Sequence, residues 1–157
     1  MKKHYDPDSF ESHKSLGYLL KTNHALMREG AERMLASFGS NFIHWIILQK
    51  LHEGLVSTAS DLCREIAHDN GAITRVIDQL EAKGFIERVR SVQDRRVVNL
   101  RLTEIGRGEL QNLTPAVIDC LNNVLEPFSH EEFIELIRLL EKLKTCFQAS
   151  LTDENCL

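Results

Sequence analysis

The sequence lacks long apolar runs, and this excludes a membrane-spanning helix. Its longest purely apolar run is the four residues Trp45–Leu48, whereas a helix that crosses a bilayer needs roughly 18 or more. A secretion signal is lacking too, because Lys2 and Lys3 are followed by the polar stretch Tyr5–Asp8 instead of an apolar segment. We therefore expect a cytoplasmic protein.

Cysteine is scarce, and neither cysteine nor histidine has the spacing of a metal site. The four cysteines include no C-x-x-C pair, and the seven histidines show no ligand spacing. A Gly-rich phosphate loop, a nucleophile elbow and a metalloprotease His pair are all missing. The sequence predicts no enzyme, no metal and no cofactor. We expect reduced thiols at Cys63, Cys120, Cys146 and Cys156.

The chain as a whole has no excess of positive charge, although its charges are unevenly distributed. Nineteen Lys and Arg oppose 23 Asp and Glu, a net charge of -4, which argues against a uniformly basic nucleic-acid-binding surface. Residues 1–56 carry +1, residues 57–82 carry -3 and residues 108–157 carry -6. Residues 83–107 have six arginines and one lysine against three carboxylates, a net charge of +4. Because arginine is favoured for phosphate contacts and narrow grooves, this segment is a candidate nucleic-acid contact.

The three prolines and eight glycines are too few for a long linker, and the first half of the chain has a helical hydrophobic period. Apolar spacing predicts a long first helix from Ser9 to about Phe38. A second helix is capped by Ser40 or Asn41 and ends at Gly54. This second helix is apolar nearly all round, which predicts a central position in the core.

Two short helices follow in the sequence. Thr58 or Ser60 opens the first, and His68–Gly71 interrupts the pattern. The second runs from about Ala72 to Lys83 and stops at Gly84. Spacing of i, i+3, i+4 and i+7 assigns its buried side to Ile73, Val76, Ile77 and Leu80.

The remaining residues predict a hairpin followed by two helices. Residues 85–90 and 97–102 are rich in β-branched and aliphatic residues, and a polar tip lies between them. Val98, Leu100 and Leu102 alternate with polar residues, as in a strand. Thr103 is the expected N-cap of a helix from Glu104 to about Leu125, which Pro115 is expected to kink. A capping box at Ser129–Glu132 opens the last helix.

This order of elements predicts a mainly α fold with a small β-hairpin wing. Residues 40–106 form a winged helix-turn-helix domain for DNA binding, and residues 1–38 and 108–157 form dimerisation helices. Long terminal helices in so short a chain leave apolar stripes that a second copy would cover. We therefore expect a homodimer.

Several short motifs in residues 62–106 resemble the MarR family of winged helix-turn-helix transcription regulators. They occur in the family's order and spacing, and weaker matches extend over most of the chain. The motifs are Thr74-Arg75-Val76-Ile77-Asp78-Gln79-Leu80-Glu81-Ala82-Lys83-Gly84-Phe85-Ile86-Glu87-Arg88, Asp94-Arg95-Arg96 and Leu102-Thr103-Glu104-Ile105-Gly106.

The resemblance implies that the helix from about Ala72 to Lys83 enters the major groove. Arg75 would then contact guanine and Gln79 adenine, with Asn70 and Thr74 holding phosphates at the helix start. Asp78 would be repelled there unless it pairs with Arg75 or accepts a hydrogen bond from cytosine.

On the wing, the resemblance places Arg96 in the minor groove and Arg95 on phosphate. Asp94 would orient Arg96 or stiffen the tip through an ion pair. Arg88 and Arg90 would line the DNA backbone or pair with a carboxylate, Glu87 or Glu104. The expected DNA-binding residues are Asn70, Gly71, Thr74, Arg75, Gln79, Lys83, Arg88, Arg90, Asp94, Arg95 and Arg96.

The expected function is therefore that of a homodimeric repressor on a pseudo-palindromic double-stranded operator. The family commonly releases DNA on binding a small aromatic or phenolic acid. The candidate ligand-binding residues are His13, Tyr18, His24, Trp45 and Arg75.

Two alternatives stay open within the same fold. A thiol switch at Cys63 or Cys120 could regulate binding, although a lone cysteine among apolar residues is usually a core residue. A winged helix can also bind protein without DNA, but such a module has no reason to carry Arg95 and Arg96 on its wing.

Overall fold

A computed structural model of the chain describes residues 3–66 and 70–152. The main elements are six helices and two strands in these residues, preceded by two short 3-10 turns at Pro7–Ser9 and Ser12–Lys14. They are α1 (Leu16–Ala36), α2 (Phe42–His52), α3 (Ala59–Ile66), α4 (Asn70–Ala82), β1 (Ile86–Arg90), β2 (Val98–Leu102), α5 (Glu104–Leu125) and α6 (His130–Thr152). The mainly helical fold with a hairpin wing is confirmed.

The first helix begins later than the sequence predicted. Ser9 belongs to a 3-10 turn, and α1 starts at Leu16. The Asp6 carboxylate accepts the Asp8 backbone N–H at 3.2 Å, and the Ser15 hydroxyl accepts that of Tyr18 at 3.3 Å. These local side-chain contacts favour turns and a new helix start over a continuous helix.

The second helix holds the central position that its composition predicted. The Asn41 side chain accepts the His44 backbone N–H at 2.9 Å, which starts α2. Gly54 ends it with φ of 70°, a left-handed conformation that glycine adopts without strain. Ile47 and Leu48 are fully buried in the main core.

The predicted buried side of α4 is nearly all in the core. Ile73, Ile77 and Leu80 are buried against Leu62 of α3, and Val76 is half-buried. The helix begins at Asn70, earlier than Ala72. The expected interruption at His68 and Asp69 lies outside the described residues.

The wing is an antiparallel hairpin joined to the helical core. β1 pairs with β2 in the register Ile86↔Leu102, Arg88↔Leu100 and Arg90↔Val98. The backbone N–H of Leu100 also donates to the Ser57 carbonyl at 2.8 Å, and Thr58 pairs with Asn99. Ile86, Leu100 and Leu102 are buried, so this face of the hairpin packs against the helices.

The base of the wing is tied to the start of α5. The Thr103 hydroxyl donates to the Gly84 carbonyl at 2.7 Å and accepts the Gly106 backbone N–H at 3.0 Å. Thr103 is therefore the predicted N-cap, and α5 continues through Pro115. Leu113 and Val117 of α5 pack with Leu35 of α1 in a second core cluster.

The chain divides into two compact units, one ending at Cys120 and one beginning at Leu121. In the second unit the predicted capping box forms. The Ser129 hydroxyl accepts the Glu132 backbone N–H at 3.2 Å, and the Glu132 carboxylate accepts that of Ser129 at 2.9 Å. None of the helices in the part of the chain described is long and apolar enough to cross a membrane.

Candidate nucleic-acid interface

The exposed face of α4 lies opposite its buried side. Gly71, Arg75 and Asp78 are exposed and fall on one face because their spacings are four and three residues. Thr74 is exposed beside them. Within the described ranges Arg75 forms no ion pair, so its guanidinium is available to a ligand. Asn70 was also predicted to contact DNA on this face, and its side chain is not among those that the structure describes.

Gln79 has an intramolecular partner that the sequence did not predict. Its side-chain oxygen accepts a hydrogen bond from His44 Nε2 at 3.3 Å. Holding adenine through two hydrogen bonds needs both this oxygen and the amide nitrogen. In the observed conformation only the amide nitrogen is unengaged by His44.

His44 is a polar residue in the core, and no sequence pattern marked it as functional. Only 6% of it is exposed, and its Nδ1 has no hydrogen-bond partner among the described residues. Burial lowers the pKa of His44 below its usual 6.5, and the hydrogen bond that His44 donates to Gln79 opposes this effect. The neutral ring therefore carries its proton on Nε2, and this N–H donates the hydrogen bond to the side-chain oxygen of Gln79.

Lys83 is also engaged within the protein. Its Nζ donates to the Gly39 carbonyl at 3.2 Å and lies 5.7 Å from the centre of the Phe85 ring. These contacts join the end of α4 to the residues after α1. The predicted DNA contact of Lys83 stays a prediction.

The tip of the wing is held by a compact set of turn hydrogen bonds. The Ser91 backbone N–H donates to the Val97 carbonyl, and that of Val97 donates to the Asp94 carbonyl, both at 2.9 Å. The Asp94 carboxylate accepts the Arg96 backbone N–H at 2.9 Å. Within the described residues Asp94 forms no ion pair, and its carboxylate instead stiffens the tip through the backbone of Arg96.

The arginines of the wing divide into engaged and available groups. Arg88 pairs with Asp78 and Glu81 of α4, in place of the carboxylates considered from the sequence. Arg107 pairs with Glu104. Among the described residues of the wing, four exposed arginines form no ion pair: Arg90, Arg95, Arg96 and Arg101.

The candidate ligand-binding residues are not joined to one another by any hydrogen bond or ion pair within residues 3–66 and 70–152. His13, Tyr18 and His24 are exposed, and His13 lies 3.3 Å from the Glu11 carboxylate. Trp45 is half-buried, stacks on Phe42 and donates its indole N–H to the Thr114 hydroxyl at 3.4 Å.

The cysteines in the described ranges are free thiols. Cys63 is half-buried against the main core, Cys120 is half-buried in α5, and Cys146 is exposed on α6. Cys156 lies outside the described residues. Within those residues, no group of three or more His, Cys, Asp or Glu side chains is arranged to hold a metal ion.

Comparison with known proteins supports the sequence resemblance. Residues 44–98 match the model of the MarR family. A mutant of Escherichia coli MarR complexed with operator DNA is 23% identical with a TM-score of 0.72, over 82% of this chain and 92% of that chain.

Two other solved structures have the same fold. The Mycobacterium tuberculosis MarR family protein Rv2887, in complex with p-aminosalicylic acid, is 26% identical with a TM-score of 0.71, over 83% of this chain and 98% of that chain. BpsR of Bordetella bronchiseptica, whose DNA binding is regulated by 6-hydroxynicotinic acid, is 18% identical with a TM-score of 0.76, over 86% and 96%. Residues 44–98 therefore match the MarR family model, and the chain has the same winged-helix fold as these solved structures.

Proposed function

We propose that this protein is a sequence-specific DNA-binding transcription regulator and has no enzymatic activity. The observation that carries the proposal is the wing tip, where Arg95 and Arg96 are exposed and form no ion pair within the described residues. The turn around Asp94 holds these two arginines on a hairpin whose buried side chains share one core with the buried side of α4. Two adjacent cations on an ordered tip suit a groove of strong negative potential.

In the proposed complex, the first half of α4 contacts the major groove and the wing contacts the minor groove. Arg75 reads base edges, with Asn70, Gly71 and Thr74 close to the phosphates at the helix start. Arg96 enters the minor groove, and Arg90 and Arg95 contact phosphates. Gln79 and Lys83 have intramolecular partners, and we propose that they hold α4 in position without contacting DNA themselves.

We propose that the regulator is a homodimer formed by residues 1–38 and 108–157, with residues 40–106 binding DNA. On α1, the apolar side chains of Leu19, Leu26 and Met27 are exposed, and on α6 those of Ile137 and Leu140 are exposed. Apolar surface of this extent favours a protein partner. A two-fold dimer reads two half-sites about 34 Å apart, which predicts a pseudo-palindromic operator.

We further propose that the regulator is a repressor released by a small aromatic acid. The support comes from Rv2887, which is solved with p-aminosalicylic acid, and from BpsR, which responds to 6-hydroxynicotinic acid. His13, Tyr18, His24, Trp45 and Arg75 are the proposed contacts. Both acids are suitable first compounds for a DNA-release assay.

Selection of bound sequences from a random DNA pool, followed by gel shift with the selected site, tests the proposal. We expect a pseudo-palindromic consensus, and we expect Arg96→Ala to weaken binding roughly tenfold or more. Arg138→Ala removes the same charge from α6, outside the winged helix, and serves as the control. Failure to enrich any sequence, or equal binding by the Arg96→Ala variant, would contradict the proposed function.

A further inference from the structure

The exposed face of α4 carries a carboxylate where the proposed function requires contact with DNA. Asp78 follows Arg75 by one helical turn, and 59% of its side chain is exposed. Glu81 lies one turn further along the helix. Without a counter-charge, both carboxylates would repel the phosphates on either side of a groove.

The guanidinium of Arg88 supplies that counter-charge to both carboxylates. Its Nη2 donates to Asp78 Oδ1 at 2.6 Å, and its Nη1 donates to Glu81 Oε2. Only 32% of the Arg88 side chain is exposed, less than either carboxylate partner. The hydrogen bond that Arg88 donates to Asp78 and the nearby charge of Glu81 raise the pKa of Arg88, although partial burial opposes this.

The strand register explains why this arginine faces α4. Arg88 lies two residues after the buried Ile86 and opposite the buried Leu100, so its side chain leaves the hairpin on the core-facing side. A charged group at such a position needs paired partners. Asp78 and Glu81 meet that need, so the arginine and the two carboxylates satisfy one another.

Within the described residues, no cation other than Arg88 pairs with Asp78. Arg75, on the same helix face, forms no ion pair within the described ranges, and neither do Arg90, Arg95 or Arg96. The neutralisation of Asp78 seen in the structure therefore rests on Arg88 alone.

We propose that Arg88 is a positioning residue that masks the carboxylates of Asp78 and Glu81, so that α4 can approach phosphates. In this role Arg88 acts through α4 and does not contact the DNA. The inference rests on the proposed function, and it replaces the DNA contact that the sequence resemblance implied for Arg88.

A charge-rescue experiment tests this role. The dissociation constant for the selected operator is measured for the wild type, Arg88→Gln, Asp78→Asn and the double variant at one salt concentration. We expect Arg88→Gln to bind about tenfold more weakly, because an unmasked charge acts on phosphates across a short distance. Asp78→Asn removes one of the two unmasked charges, so Arg88→Gln should weaken binding less in the Asp78→Asn background than in the wild type.

A matched control is provided by Arg107, which also lies at the base of the wing and pairs with Glu104. Arg107→Gln should change binding little, and Asp78→Asn should not modify its effect. Urea unfolding of each variant tests whether the domain is intact. If Arg88→Gln does not fold, Arg88→Met with and without Asp78→Asn gives the same comparison, and the loss must again be smaller in the Asp78→Asn background.

The outcomes separate this inference from the proposed function. A folded Arg88→Gln variant that binds as the wild type does would overturn the inference. An equal loss with and without Asp78→Asn would also overturn it, because a direct contact by Arg88 behaves in that way. A wild type that enriches no DNA sequence would overturn the proposed function, and the inference with it.

Discussion

Gly106 is the position where one added methyl group should disrupt the join between the wing and α5. A Cβ atom there would lie 1.9 Å from the Phe85 carbonyl oxygen and 2.9 Å from Leu102 Cδ1. The first distance is about 1 Å short of the closest approach of roughly 3 Å between carbon and oxygen. Because the Phe85 oxygen belongs to the backbone, the clash cannot be relieved by rotating a side chain.

The expected cost of Gly106→Ala follows from the hydrogen bonds that would have to move. The Phe85 carbonyl accepts the Thr103 backbone N–H at 3.0 Å, and the Gly106 N–H donates to the Thr103 hydroxyl at 3.0 Å. Losing the two bonds costs about 1 kcal/mol each, and overpacking adds about 1–3 kcal/mol. We expect the free energy of unfolding to fall by about 3–5 kcal/mol.

Urea unfolding of Gly106→Ala and Gly108→Ala tests this reasoning within one helix. A Cβ at Gly108 would meet no atom within 4 Å, so Gly108→Ala should stabilise the protein by about 0.5–1 kcal/mol through helix propensity. Opposite signs are expected for two substitutions that are two residues apart. A Gly106→Ala variant whose free energy of unfolding lies within about 1 kcal/mol of the wild type would show that the clash with the Phe85 carbonyl is relieved without loss of these contacts.

Two further predictions concern His44 and the wing tip. The pKa of His44 is lowered in the folded state. The stability that the neutral ring contributes should therefore be complete above the unfolded pKa of about 6.5 and should fall as the pH drops below it. The charges of Lys83, which follows α4, Glu32 of α1 and Glu109 of α5 also act on His44. Urea midpoints between pH 8 and 5 should show this decline in the wild type and a smaller one in His44→Gln; equal declines would assign it to other groups. Asp94→Ala removes the carboxylate that accepts the Arg96 backbone N–H, a hydrogen bond worth about 1 kcal/mol. This variant should bind the operator several-fold more weakly, with little change in melting temperature. Asp94→Asn keeps the acceptor and should bind nearly as the wild type does, whereas equal losses in both variants would favour an ion pair.

The helix-turn-helix and wing were predictable because their signals are local. The spacing of Ile73, Ile77 and Leu80 predicts the buried side of α4, and Gly84 predicts where it stops. The capping residues Asn41 and Thr103 act on backbone groups within three residues. Hydrophobic period and caps depend on neighbours along the chain, so the sequence is sufficient to reveal them.

The start of α1 was predicted wrongly, because the prediction rested on hydrophobic spacing alone. Apolar spacing extended the helix back to Ser9, but Asp6 and Ser15 direct the preceding residues into turns. The Tyr5 hydroxyl also accepts the Leu16 backbone N–H at 2.8 Å, across 11 residues. Side-chain competition for backbone groups is not visible in a hydrophobic period.

The order of elements, the buried side of α4 and the concentration of arginine in the wing could be read from the sequence, because each depends on residue type and short spacing. Which charged and polar groups are available depends on the folded structure. Arg88 meets Asp78 across 10 residues, and Gln79 meets His44 across 35. Two arginines that look equivalent in the sequence therefore differ in role, because hydrogen bonds and ion pairs depend on distances that exist only after folding. Arg88 is held by α4, whereas Arg96 is left exposed at the wing tip.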